Sequence, residues 1–366
     1  MILHDPRRLE LARDATRAAG IDALLVTPGA DLRYLTGYDA IPLERLTCLV
    51  VRPDGDPVLV VPRLERLAAE ASPASGLEIV AWDETDDPVA LVAGIVGNAT
   101  RVALDDHMWA EKVLRFRAAL PAAEQVLAGA VLRELRMRKS PAEVQALRDA
   151  AAAIDRVHAR MGEWLRPGRT EAEVGADVAA AILAEGHVRA DFVIVASGPN
   201  GASPHHELGA RTVRPGDPVV VDIGGTTADG YCSDSTRTYA VGTPPERFLD
   251  SYAVLLTAQR AAVDHVRPGV TAASVDAVAR ALIDDAGLGD LFVHRTGHGI
   301  GMETHEDPYV VAGNERPLES GMAFSVEPGI YHPGRYGARI EDIVVVTDEG
   351  VERLNRRPRE LAVLDA

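Results

Sequence analysis

Cysteine is scarce in this chain: Cys48 and Cys232 are the two among 366 residues. They lack CxxC spacing and each falls in a strand-like segment, so both read as core packing, with no disulfide framework implied. Long apolar runs are missing as well. No uninterrupted stretch approaches the roughly 18 residues that suggest a membrane span, and the opening MILHDPRRLELARD has no apolar leader core; a cytoplasmic protein is expected. Positive charge is in deficit, with 38 Lys and Arg against 55 Asp and Glu and a formal net charge of -17. Such a surface repels polyanions and anionic lipid, so neither nucleic acid nor membrane is expected as a partner.

The length exceeds that of a usual single domain, and an apolar fraction of 47% with 25% charged residues is ordinary for a globular chain. Two domains with real cores are expected. The first, over residues 1–135, alternates helix-like and strand-like segments and reads as a smaller α/β domain. A helix from Arg7 to Ala19 stops at Gly20, Ala23-Leu24-Leu25-Val26 reads as a strand, and Thr47–Val51 with Pro57–Val61 reads as a hairpin across Asp54-Gly55. Leu32-Arg33-Tyr34-Leu35-Thr36-Gly37-Tyr38, aromatic and partly polar, reads as a packed turn, with a substrate role as the alternative. The boundary falls near Ser140, where Ser140-Pro141-Ala142-Glu143 forms a capping box opening a long helix in the second domain, residues 136–366.

The second domain repeats itself. Arg166-Pro167-Gly168-x-Thr170-x-Ala172-x-Val174 returns as Arg267-Pro268-Gly269-x-Thr271-x-Ala273-x-Val275, a match too specific for two unrelated amphipathic helices. Each half also carries an apolar hairpin bearing two carboxylates: Asp222 and Asp234 in Val219–Tyr239, Glu327 and Glu341 in Phe324–Val346. Bare charge is costly in such β-branched runs, and a metal cation is one of the few partners that holds several carboxylates at once. His298 sits nearby in Gly297-His298-Gly299-Ile300-Gly301, a glycine-rich stretch that allows close approach to a ligand, with His294 and His305 on either side. Four carboxylates and one imidazole make a hard donor set that suits Mn2+, with Co2+, Fe2+ or Zn2+ also possible. Two such ions activate a bridging water and polarise a carbonyl, which points to hydrolysis.

These five residues, in their order and contexts, resemble the pita-bread metallopeptidases, in particular the prolidase (Xaa-Pro dipeptidase) and aminopeptidase P branch. The matching phrases are Ser197-Gly198-Pro199-Asn200 with Pro204-His205, Asp222-Ile223-Gly224, Ser233-Asp234-Ser235-Thr236-Arg237-Thr238, Gly297–Gly301, Glu327-Pro328-Gly329 and Arg339-Ile340-Glu341-Asp342. The resemblance implies an α+β pita-bread catalytic domain with an internal pseudo-twofold repeat behind the α/β N-terminal domain. It implies that Asp222 binds one metal ion, His298 and Glu327 the other, and that Asp234 and Glu341 bridge them. Glu327 would also shuttle a proton to the leaving proline nitrogen. His205 and His305 would line the substrate pocket, with His294 in the same surroundings. Arg339 would support a ligand or anchor the substrate carboxylate. The implied reaction is cleavage of Xaa-Pro dipeptides or short peptides by a metal-bridging water, and the implied assembly is a homodimer through the N-terminal domain. An aminopeptidase P, a non-peptidase hydrolase and a non-catalytic binding protein are the alternatives on the same fold.

Two departures from the family pattern stand out. Asp222 and Asp234 lie twelve positions apart where many relatives have eleven, which suggests a longer turn. Tyr309 stands where some prolidases carry an arginine. Among the flanking residues, His206 reads as solvated, Glu303, Glu306 and Asp307 as a charged rim, and Tyr231 as a strand residue beside the site.

Overall fold

Strands made of Val, Leu, Ala and Cys, such as Ala23–Val26 and Cys48–Val51, are buried along their whole length, the pattern of strands covered on both faces. In the computed structural model, which describes residues 3–366, they lie in the middle of a six-stranded sheet in the first of two compact units, residues 3–136 and Met137–Ala366. Ala23–Val26 runs parallel to Arg101–Leu104 and antiparallel to Cys48–Val51, which in turn pairs with Val58–Pro62 in the hairpin expected across Asp54-Gly55. The segment Leu32–Tyr38, expected as a packed turn, is instead mostly helix: Ala30–Thr36 is helical and is capped by Gly37 at φ 69°. A Cβ on Gly37 would meet the Pro73 ring at 2.9 Å, so both the backbone conformation and the space favour glycine.

The second unit opens with the helix Pro141–Ala159. Its cap is reciprocal: the Glu143 N–H donates to Ser140 Oγ and the Ser140 N–H to the Glu143 carboxylate. Two cores follow, one for each half. Ile154, Val157, Val174, Val178 and Ile182 pack on Val219, Val221 and Ile223 in the first, and Leu255, Val275, Ala279 and Ile283 pack with Phe324, Val326 and Val344 in the second. The internal repeat extends to backbone bonding. The N–H groups of Gly168, Glu171 and Ala172 donate to the carbonyls of Val213, Arg211 and Gly209, and those of Gly269, Ala272 and Ala273 donate to Leu318, Arg316 and Asn314. Each half thus ties the start of its helix, Glu171–Ala184 or Ala272–Asp285, to the loop leading into its carboxylate ribbon.

One buried group couples this packing to pH. His158, on the long helix and fully buried, donates from Nε2 to the Ser235 carbonyl at 3.1 Å, and its Nδ1 meets the Tyr239 hydroxyl at 3.0 Å. Burial, and then the positive charge of Arg237, lower its pKa to about 3. The folded protein therefore keeps His158 neutral where the unfolded chain protonates it. Its contribution to stability is complete above roughly pH 6.5 and is lost as pH falls from there toward 3. Urea unfolding of wild type should show about 2 kcal/mol more loss between pH 7 and pH 5 than His158→Gln does; equal losses in the two proteins would contradict this account.

Candidate metal centre

The first ribbon pairs the strands Pro218–Thr227 and Cys232–Val241, with Asp222 opposite Thr236 and Gly224 opposite Asp234. Side chains two apart along a strand share a face, so this register puts both aspartates on one side of the ribbon. The second ribbon was expected as one hairpin and is in fact interrupted. Ala323–Val326 pairs with Asp342–Val346, Gly329–His332 pairs with Tyr336–Arg339, and Glu327 and Glu341 fall in the gap between the two ladders. Their amides bond elsewhere. The Glu327 N–H donates to the Thr296 carbonyl at 2.7 Å, and the Glu341 N–H crosses to the Thr236 carbonyl of the first ribbon at 3.1 Å. Breaking the ladder frees both carboxylates to face the aspartates.

Ligand-type atoms of Asp234, His298 and Glu341 all lie within 4.8 Å of one another. His298 Nε2 is 3.0 Å from Glu327 Oε1 and 3.7 Å from Asp234 Oδ2. The imidazole is oriented from behind: its Nδ1–H donates to the Gly299 carbonyl at 3.1 Å, which turns Nε2 toward the carboxylates. Ser325 links the next two groups, accepting from the His298 amide at 3.0 Å and donating to Glu327 Oε1 at 2.9 Å. The glycines beside His298 serve backbone packing. A Cβ on Gly297 would strike the Ser325 carbonyl, and one on Gly299 the Asp307 carbonyl.

The electrostatics are those of crowded negative charge that calls for a cation. Burial first, and then the charges of Glu341, Asp222 and Glu327, raise the Asp234 pKa well above the usual carboxylate range. Glu341 is raised in the same way, by burial and then by Glu327 and Asp222. Burial acts against Glu327 ionising as well, but the His298 hydrogen bond and the charges of His298, His294 and Arg339 outweigh it and hold this carboxyl low. Arg339 donates to Asp222 Oδ2 at 2.5 Å, and Thr236 to Glu341 Oε2 at 2.8 Å. The other oxygens of those two carboxylates, Asp222 Oδ1 and Glu341 Oε1, are buried with no hydrogen-bond partner. Orphaned anionic oxygens are expensive. Four crowded carboxylates, two of them with an unpartnered oxygen, and one pre-turned imidazole fit a divalent cation site.

The remaining predicted residues line the same cavity, of about 960 Å³. His205 and His305 are exposed within it. The His305 ring centroid lies 3.9 Å from that of His298, and desolvation followed by the charges of His298 and Arg295 lowers its pKa. His294 donates from Nδ1 to the Arg295 carbonyl at 2.7 Å, so its Nε2 accepts from the Tyr331 hydroxyl at 2.9 Å. Tyr331 in turn accepts from Arg339 Nη1 at 2.8 Å. Arg339 pairs with Asp222 rather than with Glu341 or Asp342; Asp342 is held by Arg237 at 2.6 Å.

Several flanking residues differ from the sequence reading. Glu306 is buried and pairs with Lys139 at 2.5 Å instead of forming part of a rim. Tyr231 sits in the turn before its strand and donates to Glu143 at 2.7 Å. His206 is held by Glu171 at 2.8 Å instead of being solvated. Glu171 itself was missed: fully buried, it also accepts from the Ser197 amide and hydroxyl and from Asn200, clamping the loop that presents His205. A carboxylate in the first turn of a helix reads as an ordinary N-terminal acid, so nothing local marks it. Glu171→Gln should lower kcat/KM about tenfold with metal content unchanged, by loosening His205; an unchanged kcat/KM in a folded variant would rule out that positioning role. Tyr331 was missed as well, although strand alternation puts it on the same face as Arg339.

Comparison with known proteins gives a consistent set of matches. The model of metallopeptidase family M24 matches residues 145–348, and that of the Creatinase/Prolidase N-terminal domain matches residues 8–138. The chain is 55% identical over 361 residues to "Probable dipeptidase PepE" of Mycobacterium tuberculosis, covering 98% of this chain and 96% of that one. It is 38% identical over 356 residues to the Xaa-Pro dipeptidase of Lactobacillus delbrueckii subsp. lactis, covering 94% and 95%. The crystal structure of dipeptidase PepE from Mycobacterium ulcerans superposes with a TM-score of 0.95 at 56% identity, covering 98% of each chain.

Proposed function

Since the chain belongs to metallopeptidase family M24, we propose that it is a dipeptidase that hydrolyses the Xaa-Pro bond of dipeptides at a centre of two divalent metal ions. The observation that carries this reading is the convergence of Asp222, Asp234, His298, Glu327 and Glu341 with two orphaned carboxylate oxygens. A non-catalytic binding protein would have no use for such electrostatic crowding. Asp234 and Glu341 would be shared by both ions, Asp222 would serve one, and His298 and Glu327 the other. When bound, the ions supply an activated water and a polarised scissile carbonyl. Mn2+ is the first choice for this oxygen-rich set, with Co2+, Fe2+ and Zn2+ as alternatives.

The chain's own side chains do the rest. Glu327 is held ionised by its neighbours, so it is placed to take a proton from the attacking water and pass it to the proline nitrogen as the C–N bond breaks. That nitrogen has no hydrogen of its own in the substrate, so proton delivery to it is essential for departure. His205 and His305 open onto the cavity and would donate to the substrate carbonyl as negative charge grows on its oxygen. No helix among the described residues is long and apolar enough to cross a membrane. The cytoplasmic location belongs to the proposal, supported by the two free, buried cysteines. So does a homodimer through the N-terminal unit, supported by its exposed apolar side chains Ile41, Leu64 and Leu67. The deciding assay compares Gly-Pro and Ala-Pro with Ala-Pro-Ala in the presence of Mn2+. Preferential cleavage of the dipeptides is expected; rapid cleavage of the tripeptide with little of either dipeptide would make the protein an aminopeptidase P.

A further inference from the structure

A dipeptide differs from a longer peptide at this site by a free carboxylate one residue beyond the scissile bond, and a carboxylate calls for a cation. The cavity lining offers two guanidinium groups, Arg295 and Arg339. Arg339 has four of its five N–H donors engaged. It is buried, and its Nε donates to Thr236, Nη1 to Tyr331 and the Pro204 carbonyl, and Nη2 to Asp222. His294 is engaged at both ring nitrogens, by the Arg295 carbonyl and the Tyr331 hydroxyl.

Arg295 is different. It is partly buried, and among the described residues no carboxylate pairs with it; its guanidinium carbon lies over the Tyr309 ring, 4.3 Å from the centroid. Stacking on an aromatic face holds a guanidinium in place while leaving its edge of N–H donors free. The two residues come together because their strands are bonded side by side, the Thr296 N–H donating to the Val310 carbonyl at 3.0 Å and Gly297 pairing with Val310. The tyrosine serves as the platform and the neighbouring strand brings the charge.

We propose that Arg295, braced on Tyr309, receives the free carboxylate of the substrate's C-terminal residue and thereby restricts the enzyme to dipeptides, an inference that rests on the dipeptidase reading above. A planar fork matches a carboxylate with two parallel hydrogen bonds. A tripeptide puts a neutral peptide group at that place and forfeits the contact.

The test compares Ala-Pro with its amide, Ala-Pro-NH2, in wild type and Arg295→Gln. Wild type should prefer the acid, and the variant should lose that preference by about tenfold or more, chiefly through KM for the acid. Arg295→Met should behave alike and decides the matter if the glutamine variant folds poorly. Calorimetry adds a readout free of turnover: wild type should bind L-proline more tightly than L-prolinamide, and the variants should bind the two alike. A wild type that cleaves acid and amide equally, or a folded variant that keeps the preference, overturns this inference and leaves the peptidase reading standing. A wild type that cleaves neither Ala-Pro nor Gly-Pro overturns both.

Discussion

Replacing Asp234 or Glu341 by alanine should abolish turnover on Ala-Pro, a fall on the order of 10³-fold or more, because each carboxylate is assigned to both ions. Loss of a group that merely supports a ligand costs about 10- to 100-fold, and a shared ligand should cost more than that. Each variant should also hold fewer ions per chain than wild type. The same crowding predicts the opposite sign for stability. Asp234 and Glu341 are raised well above the ordinary range by burial and by like charges, so without metal they repel. Asp234→Asn should therefore stabilise the metal-free protein, read from urea unfolding in chelator, while eliminating activity. A variant that is near normal in turnover would refute the bridging assignment. One that is less stable than wild type without metal would refute the repulsion argument.

The second large effect should come from His305→Ala, which should retain its metal and lose about 10²- to 10³-fold in kcat. His305 touches the His298 ring and faces the open cavity. Its lowered pKa keeps it neutral at pH 7, the state in which one ring N–H remains to donate to the substrate carbonyl oxygen. Metal analysis alongside kinetics separates the possibilities. Loss of metal would make His305 part of the ligand set, and unaltered kcat would remove it from catalysis.

Much of this was legible in the sequence for identifiable reasons. Val219–Val221 and Ile343–Val346 are continuous β-branched runs, so the carboxylates at their ends stood out as charge in an apolar setting. The Arg-Pro-Gly-x-Thr entry to two helices marked the repeat, and the paired backbone bonds at Gly168 and Gly269 show what that repeated entry does. What stayed hidden depends on contacts distant in sequence. Nothing near Glu171 announces that four donors from Ser197, Asn200 and His206 converge on it. Glu306 looked like surface charge because its partner, Lys139, lies far away in the chain. The break in the second ribbon was invisible for a similar reason. The segment Phe324–Glu341 has the pattern of an ordinary hairpin, and only the competing acceptors at Thr296 and Thr236 divert the Glu327 and Glu341 amides from the ladder.

The central claim is that five side chains of the second unit jointly hold two divalent ions. Anomalous scattering from crystals of chelator-stripped protein soaked in Mn2+ tests it most directly. Two manganese peaks among Asp222, Asp234, His298, Glu327 and Glu341, with Asp234 and Glu341 contacting both, are the result expected. A cluster that stays empty at saturating Mn2+, or manganese bound elsewhere in a protein that still cleaves Ala-Pro, would contradict it.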